Sequence, residues 1–165
     1  MQLTGKIMTV IGVSVALILG WVLLGASGDE RMIRKRLIEL TDLVEKEGPV
    51  SQFEALGRNR KFKELFVARA LIEYLPGRSL PRQTGAMQSG FLSIWGQIET
   101  ASIRVSDHEV DVDERGVEAT SDFAATCRIM ISGSDRMGDT VRYRAYWIKQ
   151  EGAWLIERIV AKRTG

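Results

Sequence analysis

Only one cysteine and one histidine occur among the 165 residues of this chain. A lone thiol, Cys127, cannot close an internal disulfide, and a lone imidazole, His108, leaves no zinc set of paired cysteines and histidines. Cys127 falls in the middle of an apolar alternation and reads as a small core residue. Charge of one sign is also lacking. Twenty-three basic residues stand against twenty-one acidic ones, a net charge of +2, so no nucleic-acid partner is expected. No internal repeat, low-complexity linker or nucleophile elbow is present. With 45% apolar and 27% charged residues the composition is that of a folded protein, and the length suits one domain with an appendage.

The appendage is at the N-terminus. Residues 7–26 carry no charge after a short tail with Lys6, and about 20 apolar residues suffice to cross a bilayer as a helix. A cleaved secretory signal is the rival reading, with Gly25-Ala26-Ser27 as cleavage site; the run exceeds a signal's usual apolar core of about 7–15 residues. Residues 1–28 are therefore read as a signal anchor and 29–165 as the domain. The cluster Arg31, Arg34, Lys35 and Arg36 would hold the domain inside the cell, whereas a short tail before a long apolar segment suits export. The adopted reading is a single-pass bacterial inner-membrane protein with a periplasmic domain. Gly12, Ala16 and Gly20 recur every four residues and form a small-residue face suited to helix–helix contact, hence to a homodimer.

After the appendage, three helices and a sheet are legible. Ile33, Leu37, Leu40 and Val44 make one stripe in a helix over 29–47, with Gly48-Pro49 as its stop. A second helical stretch, 50–66, presents Phe53, Leu56, Phe62 and Leu65 as apolar, a polar break at 57–60, and a basic surface patch of Arg58, Arg60, Lys61 and Lys63. A short strand over 67–75 and a helix over 83–100 follow. The last third alternates with period two over 102–113, 117–132, 140–150 and 154–162, which predicts an antiparallel meander. Its turns fall at 113–116, 133–138 and 150–152.

That order resembles the nuclear transport factor 2-like superfamily, the SnoaL and ketosteroid isomerase fold. The resemblance is carried by Arg31-x-x-Arg34-Lys35-x-Leu37-x-x-Leu40, by Ile98-Glu99-x-x-x-Ile103-x-Val105-Ser106-Asp107 and by Trp154-Leu155-Ile156-x-x-Ile159. It implies an α+β domain, a cone-shaped curved antiparallel sheet wrapped on about three helices, similar to membrane-anchored bacterial members. The superfamily holds enzymes with carboxylates, or an Asp and a His, in the cone, and also non-catalytic carriers and secretion-system subunits.

The face expected to point inward carries Val117, Ala119, Ser121, Phe123, Ala125, Cys127, Ile129, Tyr143, Ala145 and Trp147, with no acid or histidine, so no catalytic residue is assigned. Asp122 has the opposite parity. Asp107, Glu109, Asp111 and Asp113 share a face and read as a solvent edge rather than a calcium row, since Arg115 takes the third acidic position of the loop. His108 has the parity of Val110 and stands between two acids, which predicts a raised pKa. Trp95, Phe123, Tyr143 and Trp147 are the candidate lining of an apolar pocket. No cofactor and no metal is expected. The functional reading is a non-catalytic module binding a protein partner or a small apolar ligand. The alternative is an isomerase-, dehydratase- or cyclase-type enzyme, which requires Asp122, Glu73 or His108 inside a cavity.

Overall fold

The sheet is built outward from one long strand, β4 (Glu118–Ile131), whose alternate residues Ala119, Ser121, Phe123 and Ala125 are buried. The computed structural model of the protein describes residues 28–131 and 134–162. The apolar run 7–26, with its Gly12, Ala16 and Gly20 face, lies outside the described residues. Among those described, no helix is long and apolar enough to cross a membrane.

In chain order the elements are α1 (Gly28–Val44), α2 (Gln52–Glu64), β1 (Phe66–Leu75), β2 (Arg78–Ser79), α3 (Thr84–Gln97), β3 (Thr100–Val112), β4, β5 (Ser134–Gln150) and β6 (Ala153–Lys162). The six strands form one sheet in the order β2-β1-β6-β5-β4-β3. The meander β3-β4-β5-β6 is as expected, but β1 joins β6 in parallel, so the curved sheet is mixed rather than purely antiparallel. β2, α3, β3, β4 and β5 all intervene between β1 and β6, and a parallel pair needs such a long connection, since a tight hairpin joins only antiparallel strands.

Bulges decide which residues face the core. Glu157 is the extra residue between the pairs Trp147↔Ile156 and Tyr146↔Arg158, so the buried set of β6 changes parity from Trp154 and Ile156 to Ile159 and Ala161. Trp154, Ile156, Ile159 and Ala161 thereby form one continuous inward row. A second bulge lies in β5, where Met137 pairs with Arg128 and Thr140 with Thr126. A Cβ added at Gly138 would collide with the Cys127 carbonyl oxygen, so only glycine fits that close approach. The expected turn at 133–138 is therefore strand from Ser134 onward. Val117, expected inside, is 38% exposed at the β3–β4 turn.

The helices end where side chains from elsewhere cap them. α1 stops at Val44 because Lys46 leaves the helix to bridge Ala101 through two backbone hydrogen bonds of 2.9 and 2.8 Å. Its last turn lacks a basic residue of its own, and the Arg58 guanidinium donates to the carbonyls of Asp42 and Glu45, both at 2.9 Å. Arg58, expected on a surface patch, is thus a capping group. Lys46 does the same for α3, donating through Nζ to Ile98 O at 2.6 Å above the Trp95 ring. α2 starts on the Ser51 side-chain cap and runs unbroken through 57–60. Phe62 and Leu65 are buried, whereas Phe53 and Leu56 face outward.

Candidate functional site

The site is set by a bulge at the edge of the sheet. Asp107 adopts φ 51°, and the register skips from Ser106↔Ala124 to Glu109↔Asp122. The inward row of β3, Ala101, Ile103 and Val105, therefore resumes at His108, Val110 and Val112. His108 packs edge-on to Phe123 with ring centroids 5.8 Å apart, and Phe123 stacks on Tyr143 at 5.5 Å. The Tyr143 hydroxyl donates to Tyr74 O at 2.7 Å. A row of rings thus crosses the inner face from β3 to β1.

Helix α1 closes over the β3 end of that row. Arg34 Nη1 donates to His108 O at 2.6 Å, tying helix to edge strand. A hollow of about 370 Å³ opens beside this tie, lined by Arg34, Leu37, Ile38 and Thr41 from α1 and by Val105 and His108 from β3. These four α1 residues fall at i, i+3, i+4 and i+7, one helix face. His108 Nε2 is enclosed and has no hydrogen-bond partner among the described residues.

The electrostatics reverse the expectation from sequence. Burial, and secondarily the Arg34 charge, push the His108 pKa down to about 4, so the imidazole is neutral at pH 7. Its sequence neighbours do not raise it because the bulge turns them away. Asp107 meets Arg142 at 3.4 Å on the outer face and Glu109 is exposed. Asp122 is also outward, held by Arg144 through hydrogen bonds of 3.1 and 2.7 Å and by Lys162, which bring its pKa to about 2. Glu73 is spent on a turn, accepting from Gly77 N at 2.6 Å. Asp113 organises the β3–β4 turn, accepting from Val117 N and Glu118 N at 2.8 and 2.9 Å. Among the described residues no group of three or more acids, histidines or cysteines could hold a metal ion.

The four aromatic residues singled out from sequence are divided between two places. Phe123 and Tyr143 stand together beside His108. Trp147 is buried farther along β5, donating through Nε1 to Ser121 Oγ at 2.9 Å. Trp95 belongs to the helix side, stacked on Phe91 at 6.2 Å and donating to Val44 O at 3.1 Å. None of the four lines the hollow beside His108, nor the wider, mixed-charge hollow of about 680 Å³ between α1 and α2. Arg34 was missed as a site residue because it lies in a basic run that reads as a solvated helix face. Its spacing of three and seven from Leu37 and Thr41 was the available signal.

No family model and no curated relative matches the chain. Solved structures do. A dehydratase candidate of the NTF2-like family from Streptomyces avermitilis superposes with a TM-score of 0.64 at 11% identity, covering 84% of this chain and 98% of that one. A scytalone dehydratase candidate from Novosphingobium aromaticivorans gives 0.62 at 14% identity, over 82% and 83%. A protein from Kribbella flavida gives 0.67 at 13%, over 85% and 93%. At such identities the likeness is one of fold alone, an α+β domain with a curved mixed sheet of six strands and three helices.

Proposed function

We propose that the chain is a membrane-anchored, non-catalytic binding module whose ligand sits in the hollow between α1 and β3. The observation that carries this reading is the pair formed across that hollow by Arg34 and His108, one a fixed cation and the other a neutral imidazole with an unpartnered Nε2. A cation and a neutral hydrogen-bonding ring beside Leu37, Ile38 and Val105 suit a small, largely apolar molecule with a carboxylate or similar head group. The volume is near the lower end of ordinary ligand sites, about 300–1,000 Å³. Residues 7–26 would hold the module in the bacterial inner membrane with the domain on the periplasmic side, and the face of Gly12, Ala16 and Gly20 would pair two copies.

A second reading, proton transfer at the same hollow as in an isomerase, dehydratase or cyclase, draws support from the unpartnered Nε2 of His108 and from the dehydratase candidates that share the fold. We favour binding because the inward imidazole faces Arg34 rather than a carboxylate, and general acid–base work near pH 7 is poorly served by a group titrating near 4. Equilibrium dialysis of the detergent-solubilised full chain against naphthalene-1-acetate tests the proposal. One equivalent should bind, and Arg34→Gln and the hollow-filling Ile38→Trp should abolish uptake while both variants still melt cooperatively, Arg34→Gln at a lower temperature for loss of its bond to His108 O. Uptake indifferent to both substitutions would refute it.

A further inference from the structure

α2 carries one of its two phenylalanines on the wrong side for a core. Phe53 is 89% exposed and Leu56 54%, while the opposite face supplies Phe62 to the interior. Phe53 and Leu56 are three residues apart, and Arg60 and Lys63 continue the same face one and two turns on, with Lys61 at its flank. Gly57, beside Leu56, has nothing within 4 Å of an added Cβ, and with Lys61 it marks the border between this face and the mixed-charge hollow that α2 shares with α1. Glu54 is drawn aside by its 3.1 Å ion pair with Arg58, which leaves Glu64 as the acid at the far end of the face. Among the described residues no ion pair engages Arg60, Lys61 or Lys63.

We infer that this face of α2 lies on an anionic lipid bilayer, Phe53 and Leu56 entering the headgroup boundary and Arg60, Lys61 and Lys63 meeting lipid phosphates. Exposed apolar side chains bordered by basic ones are the pattern of helices that lie in a membrane interface, and each basic residue near an anionic surface adds its own attraction. Two apolar side chains are too small a patch for a stable protein interface, which needs about 800 Å² on each side. They suffice to lay down a domain that the proposed anchor would bring to a membrane. The inference rests on the anchoring role of residues 7–26 for that delivery, and on α2 alone for the contact.

The test uses the full chain with Cys127→Ala and a nitrobenzoxadiazole label at Gly57→Cys, with Gly96→Cys, another position open to an added side chain, as control. Each is mixed with vesicles of phosphatidylcholine alone or with one third phosphatidylglycerol. The Gly57 label should shift to the blue only on the anionic vesicles, and the Gly96 label on neither. Arg60→Glu with Lys63→Glu, or Phe53→Ser with Leu56→Ser, should return the emission to its aqueous value while melting curves stay unchanged. An aqueous spectrum at Gly57 on both lipids, in chains that float with both, overturns the inference. So does a blue shift on phosphatidylcholine that grows with protein per vesicle, which would mark a second copy as the occupant. Failure to float with phosphatidylcholine would defeat the anchor reading alone, and the Gly57 spectrum on anionic vesicles would still decide the contact.

Discussion

Asp29, at the start of α1, accepts a 2.9 Å hydrogen bond from the indole of Trp154 on β6, 125 residues away, and the same carboxylate oxygen meets Lys149 Nζ at 2.8 Å. The first turn of the domain is thereby clasped to its last hairpin, beside the glycine turn at Gly116. The Lys149 and Trp154 hydrogen bonds hold the Asp29 pKa below its ordinary value.

Trp154→Ala should destabilise the domain by about 3–5 kcal/mol, the cost of emptying a site where a large side chain is 1% exposed. Trp154→Phe keeps most of the apolar volume and loses the indole donor, at about 1–2 kcal/mol. Urea unfolding of the two variants separates them; equal losses would mean the clasp contributes nothing beyond packing.

Gly138→Ala should cost about 1–3 kcal/mol, because the new methyl must push away the Cys127 carbonyl in a sheet that has no room to give. Gly96→Ala, in open space on α3, serves as the control and should be neutral or slightly stabilising. Similar melting temperatures for the two variants would argue against the bulge.

Acid should weaken the fold in two steps. His108 titrates near 4 when folded and near 6.5 when unfolded, so between those values the unfolded chain binds the extra proton and stability falls as pH falls. Discounted for partial exposure, the loss is on the order of 1 kcal/mol. Asp122, lowered to about 2, adds its loss only below its unfolded value of 3.8. His108→Gln should remove the upper step and leave the lower. An unchanged pH profile would place the imidazole in solvent.

In spheroplasts, added protease should digest the domain while the chain fractionates with membranes and retains its first residues. Gly12→Ile together with Gly20→Ile should abolish association of the N-terminal segment in a membrane two-hybrid reporter, and Val13→Ile should not. Protection from protease would put the domain on the cytoplasmic side, as the basic cluster at 31–36 suggests.

The meander was legible because the period-two pattern holds on either side of each bulge, and α1 because its stripe is regular. What the sequence hid is non-local. Arg58 and Lys46 cap helices through side chains, and Lys46 reaches carbonyls more than 45 residues away, so no local pattern marks it. The two bulges at Asp107 and Glu157 shift parity without a glycine or proline to announce them. His108 shows the consequence. Its inward parity could be read, but its environment could not, since a charge environment follows from the fold and not from sequence neighbours. The parallel pairing of β1 with β6 likewise has no signature in either strand.

Because His108 is the single histidine, its imidazole gives one assignable NMR signal from which the central claim is read directly. Titrated in the full chain in detergent, that signal should show a midpoint near 4, moving upward when naphthalene-1-acetate is added, because a carboxylate beside the ring favours its protonated form. Arg34→Gln should abolish the response to the probe. A midpoint at the ordinary value near 6.5, unmoved by the probe and by Arg34→Gln, would contradict the account.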